Sequence, residues 1–319
     1  MISKLRKGLK EHIMRLVIMG QAAFGAKVLE TLTERGEEVV AAWLPQGKPG
    51  GKPDPLKVAA DGRRIPVYQP ESYKSPDTLR ELGMLKPDLL IMAFVTDIIP
   101  PAVVELPTRG TICYHPSLLP RHRGGSAINW ALIMGDKETG LSIFWPDAGI
   151  DTGPVLLQKR IPIGPEETTG SLYFDHLFPL GVEAIAESVA LIKVGRAPRL
   201  VQDENLATYE PLCNDKVAGI DWGRPVEEVH NLIRGCDPQP GAYSYYRGRK
   251  IRFYEARRID ADLGARPGEM TATDEAGFTV AARDGTIRIG KVRTEAGKQD
   301  AAAFIAQAEI RPGESFSAA

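Results

Sequence analysis

Cysteine is scarce in this chain: three in 319 residues, at positions 113, 213 and 236. An odd, unpaired set of that kind points to free thiols in a reducing compartment and excludes a disulfide framework. Long apolar runs are missing too. The longest, Leu89 to Phe94, is the length of a buried strand and far short of the ~20 residues a membrane helix needs. Net charge is nearly absent, at -1 from 40 basic and 41 acidic residues, so bulk electrostatics favour neither a membrane surface nor an acidic polymer as partner. The histidines at 12, 115, 122, 176 and 230 are scattered, and no Cys or His pair has ligand spacing, so no metal is expected. Gly20-Gln-Ala-Ala-Phe-Gly25 lacks the middle glycine of a dinucleotide-binding loop. It reads as a tight strand-to-helix turn, and no NAD(P) is expected. Residues 1–13 carry Lys4, Arg6, Lys7 and Lys10 without the apolar core of a secretory signal, and are expected to be an extension ahead of Met14. A soluble, cytoplasmic protein is the expectation.

What the chain does contain is an alternation of strand and helix patterns. Leu16 to Met19, Val39 to Leu44, Leu89 to Phe94, Thr111 to Tyr114 and Leu141 to Trp145 are short apolar or β-branched runs. Stretches with helical spacing, such as Ala26 to Glu34 and Ala127 to Met134, lie between them. This predicts an α/β domain with a doubly wound, mostly parallel sheet over residues 14–203. Val155 to Ile163 is expected to return as an antiparallel edge strand, and Thr168 to Val194 to form one long helix bent near Pro179. The stretch from Gly195 to Ala207, with two prolines, reads as a linker. Beyond it, residues 204–319 are expected to form a second domain. Its alternating segments Ile251 to Tyr254, Phe278 to Val280 and Thr286 to Ile289 suggest a small open β-barrel.

Residues suited to chemistry gather at the predicted carboxyl ends of strands, where ligands bind in open α/β sheets. His115 follows the run from Thr111, with Pro116, Pro120 and Gly124 ending regular structure after it. Asp151 lies in the turn Ala148-Gly149-Ile-Asp151-Thr-Gly153. A histidine titrates near physiological pH, and a nearby aspartate both orients it and competes for its proton. Ala93, Phe94 and Val95 follow another strand and are expected to line the same crevice; for Phe94 alone, core packing is an equal alternative. Cys113 lies two residues before His115, on the same face of a strand. A thiolate there would be nucleophilic if its pKa were lowered, whereas a buried strand cysteine is the plainer reading. His122 reads as an exposed turn residue and His230 as a structural one. Arg247, Arg249, Lys250, Arg252, Arg257 and Arg258, interleaved with Tyr245, Tyr246 and Tyr254, read first as a solvated surface and second as a nucleic-acid contact.

His115-Pro-Ser-Leu-Leu-Pro120 with Arg123-Gly124, then Gly149-Ile-Asp151-Thr-Gly153, resembles the signature of the folate-dependent formyltransferases. The resemblance covers nearly everything from Met14 onward. It is strongest to the amino-terminal hydrolase domain of 10-formyltetrahydrofolate dehydrogenase, and extends to methionyl-tRNA formyltransferases. It implies an enzyme that takes 10-formyltetrahydrofolate as co-substrate, with His115 and Asp151 as catalytic residues. The pterin ring is then expected between the Ala93-Phe94-Val95 loop and the one bearing Ala148, Gly149 and Asp151. Most family members carry an asparagine where this chain has Cys113; the hydrolase domain also lacks it. The expected activity is formyl release to water, with transfer to an amine of methionyl-tRNA and a non-catalytic folate sensor as alternatives. A nucleic-acid partner is expected only under the tRNA reading, and the oligomeric state is left open.

Overall fold

The computed structural model describes residues 13–259 and 264–319, so the expected amino-terminal extension lies outside the described residues except for Ile13. Seven strands form the first sheet: β1 (Arg15–Gly20), β2 (Glu38–Trp43), β3 (Val67–Tyr68), β4 (Leu89–Ala93), β5 (Thr111–His115), β6 (Glu138–Phe144) and β7 (Val155–Pro162). Their order is β3-β2-β1-β4-β5-β6-β7. β1 through β5 pair in parallel, which explains why β1 and β4 are near-continuous apolar runs: helices cover both faces. One face packs Val17, Met19, Leu90 and Met92 with Leu82 and Val103.

β6 runs antiparallel to β5, with Cys113 opposite Phe144 and His115 opposite Ser142. Hydrogen bonds from Trp145 N to Pro154 O and from Ile163 N to Lys137 O join opposite ends of β6 and β7, so β7 is the antiparallel edge strand the sequence suggests. The helices are α1 (Ala22–Glu34), α2 (Pro55–Gly62), α3 (Pro76–Met84), α4 (Pro101–Val104), α5 (Ala127–Ile133), α6 (Thr169–Ser171), α7 (Phe178–Lys193), α8 (Val226–Gly235) and α9 (Ala301–Ala308).

The single long helix expected from Thr168 is instead broken: α6 leads through a π-helical turn, Leu172–Leu177, into α7. Pro179 has no N–H to give to the preceding turn, which accounts for a register change just upstream of it. Two residues later Gly181 lets α7 lie close to the sheet, since a Cβ there would come within 2.5 Å of the Tyr114 ring. The stretch read as a linker is likewise built into structure. Leu200 exchanges backbone hydrogen bonds with Val155, at 2.9 and 2.8 Å.

The described residues fall into two compact units. One holds residues up to Pro120 with 141–159 and 178–207; the other holds 121–140, 160–177 and 208–319. The second contains an antiparallel sheet of β8 (Ala242–Tyr246), β9 (Arg249–Ile259), β10 (Met270–Asp274), β11 (Gly277–Ala281) and β12 (Thr286–Thr294), in the order β10-β11-β12-β9-β8, with β13 (Gly297–Asp300) paired to β12. Met270 N bonds to Glu314 O, and Ser317 exchanges bonds with Tyr245, so the carboxyl-terminal segment reaches both edge strands and gives an open barrel. Phe253, Phe278, Phe316 and Trp222 fill its core with edge and stacked ring contacts.

Candidate active site

β5 delivers His115 to its carboxyl end, where the side chain is almost fully buried. The following turn is fastened from β6 and β7. Ser142 Oγ donates to Ser117 O at 2.7 Å and accepts from Leu119 N at 3.1 Å. Gln158 Nε2 donates to Leu119 O at 2.8 Å and to Ser142 Oγ at 2.9 Å. These buried polar groups satisfy one another, so the turn after His115 has little freedom to wander.

Asp151 arrives on the β6–β7 connection. Gly153 is required there, because a Cβ would sit 1.8 Å from Trp145 O. Asp147 accepts from Gly149 N at 3.0 Å and from Thr152 Oγ1 at 2.5 Å, closing an Asx-type turn. Asp151 itself has φ +56°, in the left-handed region that aspartate tolerates better than most residues. Gln202, buried, donates to Asp151 O at 2.8 Å and to Gly153 O at 2.7 Å. The carboxylate thus reaches His115, with Nδ1 and Oδ2 3.5 Å apart. That separation suits a site whose hydrogen bonds tighten when substrate arrives.

Cys113 is the third member of the group. Its Sγ donates weakly to Tyr114 O at 3.6 Å and packs against Leu119, Phe144 and Val155. Burial, and then the charge of Asp151, push the thiol well above its ordinary range, so it stays protonated at neutral pH. On the neighbouring strand, Ala93 is buried with its carbonyl accepting from Gln21 N at 3.4 Å, and Gln21 Nε2 donates to Thr96 Oγ1 at 3.2 Å. Phe94 is not in the core: it has φ +64° and 43% exposure. Val95 is half-buried on the sheet's apolar cluster, while Ala148 and Gly149 are exposed.

The expectation for His122 is overturned. It is 2% exposed, in the second unit, with Asp136 Oδ2 2.9 Å from Nε2 and Glu210 Oε2 3.2 Å from Nδ1. Two carboxylates from distant segments compensate its burial, which no local pattern around Pro120 reveals. His230 is buried, bonded through Nε2 to Ala256 O at 3.2 Å. Burial holds its pKa below the ordinary value, so it is neutral. Gln202, Ser142 and Gln158 were not identified as supports by sequence reasoning, since single polar residues within a strand or a proline-bounded stretch carry no periodic signal.

The family described as Formyl transferase matches residues 14–179, and its carboxyl-terminal domain matches residues 214–309. The chain belongs to the formyl transferase family. The chain is 42% identical over 255 residues to mitochondrial 10-formyltetrahydrofolate dehydrogenase from Mus musculus, a match covering 78% of this chain and 28% of that protein. It therefore spans little more than a quarter of the dehydrogenase's length. It is 36% identical over 306 residues to methionyl-tRNA formyltransferase from Geobacter sulfurreducens, covering 94% of this chain and 96% of that protein. Among solved structures, HypX from Aquifex aeolicus in complex with tetrahydrofolic acid aligns with a TM-score of 0.68 at 22% identity, over 92% of this chain and 47% of that one. The N-formyltransferase from Helicobacter canadensis in complex with folinic acid and dTDP-3-aminofucose aligns with a TM-score of 0.69 at 20% identity, over 86% and 98%. At those identities the likeness is one of fold.

Proposed function

We propose that this formyl transferase is a cytoplasmic enzyme that removes the formyl group of 10-formyltetrahydrofolate, with water as the favoured acceptor, releasing formate and tetrahydrofolate. The contact between His115 and Asp151 at the sheet's carboxyl edge carries this reading. His115 gives a hydrogen bond to the formyl oxygen as it gains charge, and Asp151 takes a proton from the attacking water. The new C–O bond forms, the bond from carbon to N10 breaks, and the proton held by Asp151 passes to N10. The chemistry uses neither a metal nor a nicotinamide. Ala93, Phe94 and Val95 on one side, and Ala148 and Gly149 on the other, bind the pterin through backbone groups and apolar surface. The exposed Phe94 supplies such surface.

Cys113, held as a thiol, is a weak donor at a position where most of the family places an amide. Loss of a strong oxyanion donor typically costs about 2.7–4 kcal/mol, a hundredfold or more. A Cys113→Asn variant is expected to raise formyl transfer; unchanged or lost transfer counts against the donor argument.

Transfer to methionyl-tRNA is the second reading, favoured by the match along nearly the whole of a methionyl-tRNA formyltransferase. The basic cluster that would serve it spends much of its charge internally. Lys250 and Arg252 both pair with Asp215, at 3.0 and 2.8 Å, and Arg247 pairs with Glu314 at 3.3 Å. The deciding experiment supplies purified protein with 10-formyltetrahydrofolate and follows formate and tetrahydrofolate. Formate without any acceptor supports hydrolysis. Turnover only with charged tRNA or another amine replaces it with transfer, and binding without turnover replaces both with a folate sensor.

A further inference from the structure

Two of the three cysteines lie far apart in sequence and meet in the second unit, where neither takes part in the proposed formyl chemistry. Cys213 Sγ and Cys236 Sγ are 3.7 Å apart, both as free thiols. Their settings differ. Cys236 closes α8, its N–H bonded to Leu232 O and Ile233 O, and its side chain is buried in the barrel-side core. Cys213 is half-buried in the loop leading to the second domain. It also lines a solvent-open cavity of about 610 Å³ together with Asn129, Asn214, Lys216 and Gln239. The loop is held in place on either side of the thiol. Pro211 O accepts from Trp130 Nε1 at 2.7 Å, Cys213 N donates to Ser126 Oγ at 3.0 Å, and Lys216 N donates to Asn214 Oδ1 at 2.9 Å. Cys213 is therefore presented both to solvent and to Cys236. Among the described residues no group of three or more His, Cys, Asp or Glu side chains forms a metal-binding set.

We infer that Cys213 and Cys236 form a reversible redox pair, Cys213 reacting with a peroxide from the cavity and Cys236 resolving the product into an intrachain disulfide. The geometry needs the sulfurs to close from 3.7 Å to about 2.05 Å, a movement within reach of side-chain rotation and a small loop shift. The two thiols are also poised differently. The sulfur–sulfur contact draws the Cys213 pKa down, while the same contact and burial push Cys236 up. An accessible cysteine beside a sheltered resolving thiol is the arrangement redox-sensing cysteines share.

The steps balance. The Cys213 thiolate attacks one peroxide oxygen, the O–O bond breaks, and hydroxide leaves to take up the proton that Cys213 gave up. This yields a sulfenic acid and one water. The Cys236 sulfur then attacks the Cys213 sulfur; the S–O bond breaks, and the departing hydroxide leaves as a second water with the Cys236 proton. Two thiols lose two electrons and two protons, and one hydrogen peroxide becomes two waters. The crosslink ties the 211–216 loop, including the Asp215 that pairs Lys250 and Arg252, to the end of α8.

The test treats the folded full chain with stoichiometric hydrogen peroxide, alkylates it in denaturant and maps the peptides. The expected product is one intrachain link between the peptides of Cys213 and Cys236, reversed by dithiothreitol, with Cys113 still alkylated. In Cys236→Ser, Cys213 is expected to stop as a sulfenic acid trapped by dimedone; in Cys213→Ser neither sulfenic acid nor link forms. Full alkylation of both thiols after peroxide overturns the inference, as does a link that involves Cys113 or joins two chains. The readout is covalent and made on wild-type protein, so it does not depend on the variants folding or on the formyl-transfer reading.

Discussion

Seven positions apart in sequence, His115 and His122 both face carboxylates, and they illustrate opposite uses of the same pair of side chains. His115 meets one carboxylate, Asp151, across 3.5 Å, at the end of a strand and on a loop held by backbone contacts. His122 is hydrogen-bonded through Nε2 to Asp136 at 2.9 Å and has Glu210 Oε2 3.2 Å from Nδ1 as a close contact, with its backbone N–H given to Thr208 Oγ1 at 2.8 Å. In the proposed chemistry the 3.5 Å contact at His115 shortens as substrate binds, and a proton moves through it. The hydrogen bond to Asp136, with Glu210 packed on the other side of the ring, holds the imidazole of His122 in place. A histidine near an aspartate is therefore not by itself a catalytic sign; its place, at the carboxyl end of a sheet strand or deep in a packed unit, has to be read with it.

Substitutions separate the two cases. Asp151→Asn and His115→Ala are each expected to lower formyl turnover by about 10²–10⁴-fold, the usual contribution of positioned acid–base groups, with folate binding largely kept. Steady-state kinetics beside a binding titration check this, and near-normal turnover in either variant removes the pair from the chemistry. His122→Ala should act on stability instead. It removes the imidazole between Asp136 and Glu210, while Arg121 still pairs with Asp136 at 2.8 Å, so the expected loss is about 1–3 kcal/mol, the cost of leaving a buried polar group without its partner. Urea unfolding measures it, and a loss well under 1 kcal/mol would show that these contacts are not what holds this segment.

Gln202→Ala sits between the two. It removes the amide that bonds Asp151 O and Gly153 O, so the carboxylate drifts and kcat falls, on the order of tenfold, with KM little changed. An equal change in both parameters would instead mark a binding contact. The smallest effect expected is at His230, whose neutral form is favoured in the folded state by burial and, more weakly, by Arg234 and Arg258, against the pull of its Ala256 contact and Glu166. Because the unfolded chain protonates this residue first, its contribution to stability is complete above a pH of about 6.5 and is lost as pH falls below it. Denaturant midpoints across that window should flatten in His230→Gln; an unchanged slope assigns the acid sensitivity elsewhere.

Much of the scaffold was legible because it is encoded locally. The apolar runs of β1 and β4 announce strands buried on both faces, and the prolines and glycines after His115 and around Asp151 announce the turns that present them. The supports of the site were not legible. Gln202 lies in a stretch with no periodicity, and only the pairing of Leu200 with Val155 carries it to the Asp151 loop. The meeting of Cys213 with Cys236 depends on how α8 ends against a distant loop, which spacing along the chain cannot express. His122 failed for the same reason, since its partners are Asp136, in the turn after α5, and Glu210. Local chemistry therefore pointed to the turns that carry His115 and Asp151, while the contacts that hold those turns belong to the tertiary structure.

The claim that His115 and Asp151 act as one proton-handling unit is tested most directly by a double-mutant cycle on formyl turnover. Formate release is measured for wild type, His115→Ala, Asp151→Asn and the double variant. Groups that act together are grossly non-additive, so the double variant is expected to be no slower than about the slower single one. Losses that multiply would contradict the account, because each residue would then be working without the other.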